Sequence, residues 1–209
     1  MHTPFDIETW NRKHTYRFFK TYDDPFFNIC THVDAANLHA MCKKNGFSFH
    51  LSLLFYILKT VNESIEFRLR LLDGNVVLFD TIHCGSTVLH EDNTFTFCYF
   101  PFTATLKEFN DIGREILNDH LQRKELHPRS HDLDLIYSSS IPWTSFTSIT
   151  HARNHKTGES IPKFAFGKYF SQNGKLLLPI SIEVNHALMD GYHVGKFLSD
   201  LQQSLDQAA

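Results

Sequence analysis

No charge of one sign dominates this chain of 209 residues: 20 Lys and Arg face 23 Asp and Glu, for a net charge of −3. Without a basic surplus there is no surface to neutralise phosphates, which excludes nucleic acid as the principal partner. Long apolar runs are absent too. The longest, LSLLFYIL over 51–58, is far too short to span a bilayer. The first residues, MHTPFDIETWNRKH, hold no apolar segment of the signal-peptide type. Cysteine is sparse, with four residues at 30, 42, 84 and 98 and no CxxC pair. A thiolate zinc site is therefore not expected, and the thiols read as buried residues of a reducing compartment. Repeats, low-complexity tracts and Pro/Gly/Ser linkers are missing as well. Together these absences predict a soluble, cytoplasmic protein with one domain over 1–209, large enough to bury a core unaided.

What the chain does have is phenylalanine and histidine, 20 and 14 residues respectively. The first implies large apolar faces, in a core, an interface or an aromatic pocket. The second invites metal or acid–base chemistry. Helical patterns run over 34–45, with Asp34 as N-cap and Gly46 as stop, over 48–62, over 105–124 and over 191–207. Strand patterns fall over 26–33, 67–72, 76–80, 94–102, 163–171 and 175–184. Asp73-Gly74-Asn75 and Gln172-Asn173-Gly174 mark hairpins. The mixture predicts an α/β or α+β sandwich with a mixed, largely antiparallel sheet.

Three clusters could carry chemistry. Over 185–193 the chain reads NHALMDGYH, where a strand gives way to a helix. Asp190-Gly191 can be a turn and helix cap with His186 a core residue. His186, Asp190 and His193 could instead hold a metal, although no fourth ligand is evident. In a third reading His186 is a general base and Asp190 supports its loop. Over 141–148 the chain reads IPWTSFTS. This is either a loop entering a half-buried strand or a hydroxyl placed for a developing oxyanion. No GxSxG elbow surrounds Ser148, which argues against an acylated serine. The third cluster is WNRKH over 10–14, where Arg12 is a surface charge unless a buried acid needs it.

Taken together, FDIETWNRKHTYRFF, DGNVVLFDTIH, IPWTSFTSIT, FGKYFSQNGKLLLPISI and NHALMDGYHVGKFLSDLQQ resemble, in colinear order, the trimeric, acetyl-CoA-dependent chloramphenicol acetyltransferase family. The HxxxDG element is shared by a wider set of CoA-dependent acyltransferases, whereas PW-x-SFTS and WxRK are narrower. The resemblance implies an α/β two-layer sandwich that assembles as a homotrimer with active sites between subunits. It implies acetyl-CoA as co-substrate, a small hydroxylated acceptor such as chloramphenicol, and direct transfer in a ternary complex without a metal. His186 matches the general base, a role that typically supplies about 10²–10⁴-fold. Ser148 matches the oxyanion donor. Arg12 and Asp190 match a structural ion pair, and Lys168 and Tyr169 fall where the family borders its CoA channel.

The chain departs from the family pattern at several points. Asn185 replaces the first of two adjacent histidines, and Ala165 replaces a threonine thought to help bind a water. The stretch HARNHKTGES over 151–160 is polar where the family is apolar. Pro25-Phe26-Phe27 replaces a smaller, more polar run, and Ser48 stands where a lysine is expected near the CoA phosphates. These changes bear on the acceptor pocket, so the same chemistry on another hydroxylated acceptor, and a non-catalytic CoA- or ligand-binding homologue, are the alternatives.

Overall fold

Both hairpin signals close as two-residue turns. Asp73 and Gly74, with φ of 49° and 79°, join β3 (Leu69–Leu72) to β4 (Asn75–Phe79). Asn173 and Gly174, with φ of 52° and 77°, join β9 (Phe170–Gln172) to β10 (Lys175–Asn185). Left-handed backbone at both central positions is the type I′ geometry, which matches strand twist and which Asp-Gly and Asn-Gly adopt with little strain.

The computed structural model describes residues 1–121, 126, 128–129, 132–153 and 159–208. Strand β10 is its backbone. It pairs antiparallel with β2 (Phe26–Asp34) on one side and with β8 (Lys163–Gly167) and β9 on the other. The sheet continues through β7 (Leu135–Ile141) and β5 (His83–Leu89), both joined in parallel, to an antiparallel edge strand β6 (Phe95–Phe100). A separate small sheet places β4 between β1 (His2–Pro4) and β3. Helices α1 (Lys13–Phe19), α2 (Ala36–Asn45), α3 (Phe49–Glu63), α4 (Ile65–Arg68), α5 (Leu106–Leu121) and α6 (Gly191–Asp206) complete the mixed α/β fold.

Side chains alternate across the large sheet. Phe27, Ile29, Val33, Ile180, Ile182, Val184, Phe164 and Phe166 point to one face and join α2, α3, α5 and α6 in the main core. Helix α3 is apolar around most of its circumference and is buried accordingly. Gly113 on α5 lets that helix meet α3 closely, since a Cβ there would lie 2.7 Å from Leu51. The opposite face carries Asn28, Glu183, Ser181, Lys163, Ala165 and Tyr137, and no helix among the described residues covers it. The segment 144–153 crosses part of it instead. That segment is held by Asn28 Nδ2 to the Ile149 carbonyl (2.7 Å), by Lys163 Nζ to the Ala152 carbonyl (2.9 Å) and by Arg153 Nη2 to Glu183 Oε2 (3.0 Å).

Several boundaries differ from the sequence reading for local reasons. The strand expected over 67–72 begins at Leu69, because α4 takes up its first residues. The strand expected over 163–171 breaks at Lys168 and Tyr169 into β8 and β9. Asp34 ends β2 rather than capping α2, and its Oδ1 accepts from the Ala36 and Leu176 amides. Residues 122–124 of the helix expected over 105–124 lie outside the described residues. Of the four thiols, all free, Cys42, Cys84 and Cys98 are buried and Cys30 is half-buried. Among the described residues no helix is long and apolar enough to cross a membrane.

Arg70 is buried completely and joins the two sheets. Its guanidinium donates to the carbonyls of Phe67, Leu69, Leu133 and Leu135 at 2.6–2.9 Å. Arg70→Met keeps the volume but orphans these acceptors. It is expected to lower unfolding free energy by about 3–5 kcal/mol in urea titration, and a loss below about 1 kcal/mol would show that the clamp contributes little.

Candidate active site

Strand β10 ends at Asn185, and the chain must turn at once to begin α6 at Gly191. Asn185 builds the turn. Its Oδ1 accepts from the Ala187 amide (2.9 Å), its carbonyl accepts from the Leu188 and Met189 amides, and its Nδ2 donates to the Glu159 carbonyl (3.1 Å). Arg12, only 6% exposed, locks the turn from outside. Nε and Nη2 grip Asp190 Oδ2 and Oδ1 at 2.8 and 2.6 Å, while Nη1 and Nη2 donate to the carbonyls of Ala187 and His186, both at 3.1 Å. A planar fork can make these bonds together, which a lysine cannot. The Asp190 carboxyl is held below the usual carboxylate range, first by its hydrogen bond from Arg12.

His186 is fixed by this frame. Its amide donates to the Pro25 carbonyl (2.6 Å), and its ring stacks on Phe19 with centroids 3.8 Å apart and leans on Phe27 at 4.8 Å. Nδ1 is enclosed and lies 3.2 Å from Asp190 Oδ1, yet the angles make no hydrogen bond. Proximity to an ionised carboxylate favours the proton on Nδ1, which leaves Nε2, the ring nitrogen that is not enclosed, with its lone pair. That tautomer is the one a base requires.

The metal reading of this cluster fails on its own donors. Both Asp190 oxygens are taken by Arg12, and His193 Nδ1 accepts from the Asp190 amide at 2.9 Å. Among the described residues no three or more His, Cys, Asp and Glu side chains are grouped as metal ligands would be.

Ser148 lies elsewhere. It is exposed on the segment that crosses the open sheet face, and its neighbour Ile149 is tied to Asn28. His186 packs on Phe27, which points to the helix side. Phe27 and Asn28 face opposite ways, so within one chain the sheet lies between His186 and Ser148. Lys168 and Tyr169 sit apart from His186. They line a cavity of about 560 Å³ with Phe49, His50, Phe166 and Leu178. The Lys168 amide donates to the Thr144 carbonyl (2.8 Å), and the Tyr169 ring meets Phe49 and His39. Burial pushes His50 down to about 4, so it lines this cavity uncharged at neutral pH. Leu178 lies within β10 and His186 just beyond its end, roughly 26 Å apart at a rise of about 3.3 Å per residue.

The family profile described as chloramphenicol acetyltransferase matches residues 1–202. This chain belongs to the chloramphenicol acetyltransferase family. Relatives of that name from Escherichia coli and Proteus mirabilis are 30% and 29% identical, covering 99% and 97% of this chain and 94% of theirs. A solved chloramphenicol acetyltransferase superposes with a TM-score of 0.92 at 30% identity, covering 98% of this chain and all of that one. Dihydrolipoamide acetyltransferase from Azotobacter vinelandii shares the fold at a TM-score of 0.68 and 18% identity, over 93% of this chain and 86% of that one.

Two departures from the chloramphenicol acetyltransferase pattern have local structural uses. Asn185, in place of a histidine, forms the turn and anchors Glu159. Ser48, in place of a lysine, caps α3 by accepting from the Leu51 amide. The role of Asn185 was missed in sequence, although an Asn that begins a turn after a strand is an Asx-turn signal.

The Arg12–Asp190 pair yields a test. Arg12→Ala leaves a third-exposed carboxylate and two carbonyls without their partner, and is expected to lose about 2–3 kcal/mol of unfolding free energy, the low end for a buried pair. Because the folded carboxyl titrates below its ordinary 3.8, its stabilisation is present above that value and lost as pH falls through the lowered one. The variant should therefore show a shallower loss of stability below pH 3.8 than the wild type, measured by thermal unfolding; identical acid limbs would contradict the assignment.

Proposed function

We propose that this chain is an O-acetyltransferase that moves the acetyl group of acetyl-CoA to a hydroxyl of chloramphenicol or a related small molecule, in sites formed between copies of a homotrimer. Membership of the family supports the reaction. The observation that carries the geometry is that Phe27, against which His186 packs, and Asn28, which holds the Ser148 segment, face opposite sides of the sheet, which favours a meeting of His186 and Ser148 across two chains. Exposed aromatics flank both halves: Phe18 (58% exposed) lies in the ring cluster with Phe19 beside His186, and Trp143 (66%) precedes Ser148 on its segment. Apolar surface of this kind suits burial against another copy.

In this reading His186 Nε2 takes the proton of the acceptor hydroxyl as its oxygen attacks the thioester carbonyl. Ser148 Oγ–H of the neighbouring copy donates to the oxygen that becomes negative. His186 then returns its proton to the departing thiolate, so no acyl-enzyme forms. Arg12 and Asp190 position the base without touching substrate. Lys168 and Tyr169 border the channel for the coenzyme: the cavity beside them has aromatic and aliphatic walls and one cation at its rim, which fits a long molecule with an apolar arm and phosphates. Free thiols and the need for acetyl-CoA suit the cytoplasm.

Thiol release from acetyl-CoA with chloramphenicol as acceptor tests the reading. His186→Ala is expected to lose at least about 10²-fold in kcat and Ser148→Ala about 10²–10³-fold, each with unchanged thermal stability. Sedimentation should give three times the 24.3 kDa chain mass. A wild type that acetylates no hydroxyl acceptor, while binding CoA, would point instead to a non-catalytic homologue.

A further inference from the structure

His193 belongs to the cluster over 185–193, and neither the metal reading nor the proposed reaction gives it a task. It stands at the third position of α6 and its side chain is only 14% exposed. Its ring Nδ1 accepts from the Asp190 amide at 2.9 Å, and its own amide donates to the Asp190 carbonyl at 3.0 Å. One residue thus grips both backbone polar groups of Asp190. Glu66, on α4, lies 3.6 Å from the other ring nitrogen, Nε2. The Tyr192 ring meets the imidazole edge-on at 5.4 Å, and Lys196, one turn further along α6, is paired with Asp200.

An amide N–H can bond only to a ring nitrogen that keeps its lone pair. His193 is therefore neutral, with its proton on Nε2 on the side of the Glu66 carboxylate, which attracts it without a hydrogen bond at that distance. A proton on Nδ1 would instead oppose the Asp190 amide. It would also face Asp190 Oδ2 at 4.0 Å, in competition with Arg12. Across Asp190 the order is reversed, because the carboxylate 3.2 Å from His186 Nδ1 favours a proton on that nitrogen. Arg12 holds the Asp190 carboxylate, and His193 holds the backbone behind it. A shift of that backbone would change the 3.2 Å separation that orders the His186 ring.

We propose that His193 is a positioning residue for His186: it fixes the Asp190 backbone, and the two imidazoles flanking Asp190 carry their protons on opposite nitrogens. The inference rests on the acyltransferase reading only in taking His186 as the base, and the tautomer pair stands without it.

Nitrogen NMR of the histidine side chains in the unliganded full chain at neutral pH tests the proposal, with His186→Ala and His193→Leu assigning the two rings among the 14 histidines. Wild type is expected to show His193 protonated at Nε2 and His186 at Nδ1. His193→Leu should shift His186 toward a mixture of both forms and lower kcat at least about threefold, with KM for acetyl-CoA unchanged. His193→Gln can still accept from the amide of the N-cap residue, as in a capping box, and should restore the His186 signal and bring kcat within about twofold of wild type. A side chain that served only the fold would leave the His186 signal of a folded variant where it is. Any other pair of tautomers in wild type would overturn the proposal, and this spectrum decides even where His193→Leu does not fold. An unchanged His186 signal and kcat in His193→Leu, or a loss in His193→Gln as large as in His193→Leu, would overturn it too. The expected tautomers and variant signals with no acetyl transfer to any acceptor would overturn the acyltransferase reading alone.

Discussion

The guanidinium of Arg12 holds the end of β10 and so holds His186. A strand buried on both faces delivers His186 to the edge of the sheet, but a strand end alone does not orient a ring. Arg12 converts it into a rigid turn by binding two carbonyls and one carboxylate across 186–190. The Asp190 carboxyl is held below the usual carboxylate range by Arg12 and sits beside His186 Nδ1, which favours the proton on that nitrogen. The ion pair also seats the start of α6, since Asp190 is its N-cap residue and His193 accepts from the Asp190 amide. Chain entry, turn, helix start and tautomer therefore share one charged contact.

The second constraint is the sheet. Its two faces are chemically unlike: one is aliphatic and aromatic and faces the helices, the other carries Asn28, Ser181, Glu183 and Lys163 and takes the Ser148 segment. Lys163 and Asn28 on that face bind carbonyls of the segment, and the segment's own Arg153 binds Glu183 in return. The same bonds set the position of Ser148. Holding a site on strands and ion pairs gives better precision than a free loop would. It also leaves His186 and Ser148 on opposite faces of the sheet within one chain, so the proposed reaction requires them to meet across two chains.

Much of this was legible in the sequence, and the rest fails for specific reasons. Helices α3 and α6 and both I′ turns follow from apolar periodicity and Asp/Asn-Gly chemistry. Helix α1 and strands β1, β5 and β7 do not, because each is short or mixed in pattern and exists through tertiary pairing. The break at Lys168 and Tyr169 is invisible in a run that is β-prone throughout. Arg12, Ser148, Lys168, Tyr169, His186 and Asp190 were reached through family resemblance, since spacing alone left cap, metal and base readings open for 185–193. The separation of His186 from Ser148 by the sheet needed strand register, which the sequence does not print. Only eight phenylalanines, from Phe55 to Phe197, are buried in the core; others stand elsewhere, such as Phe19 and Phe27 beside His186 and Phe95 and Phe97 at the cavity on the open sheet face.

Complementation between inactive copies tests the central claim most directly. His186→Ala and Ser148→Ala chains, each silent alone, are to be co-assembled and assayed for acetyl transfer. If the site forms between chains, some interfaces in a mixed ring receive an intact base and an intact donor. An equal mixture assembling at random into closed threefold rings should recover roughly one quarter of the wild-type rate. A mixture that stays at the level of the separate variants would show that His186 and Ser148 work within one chain or not together, and would contradict the account.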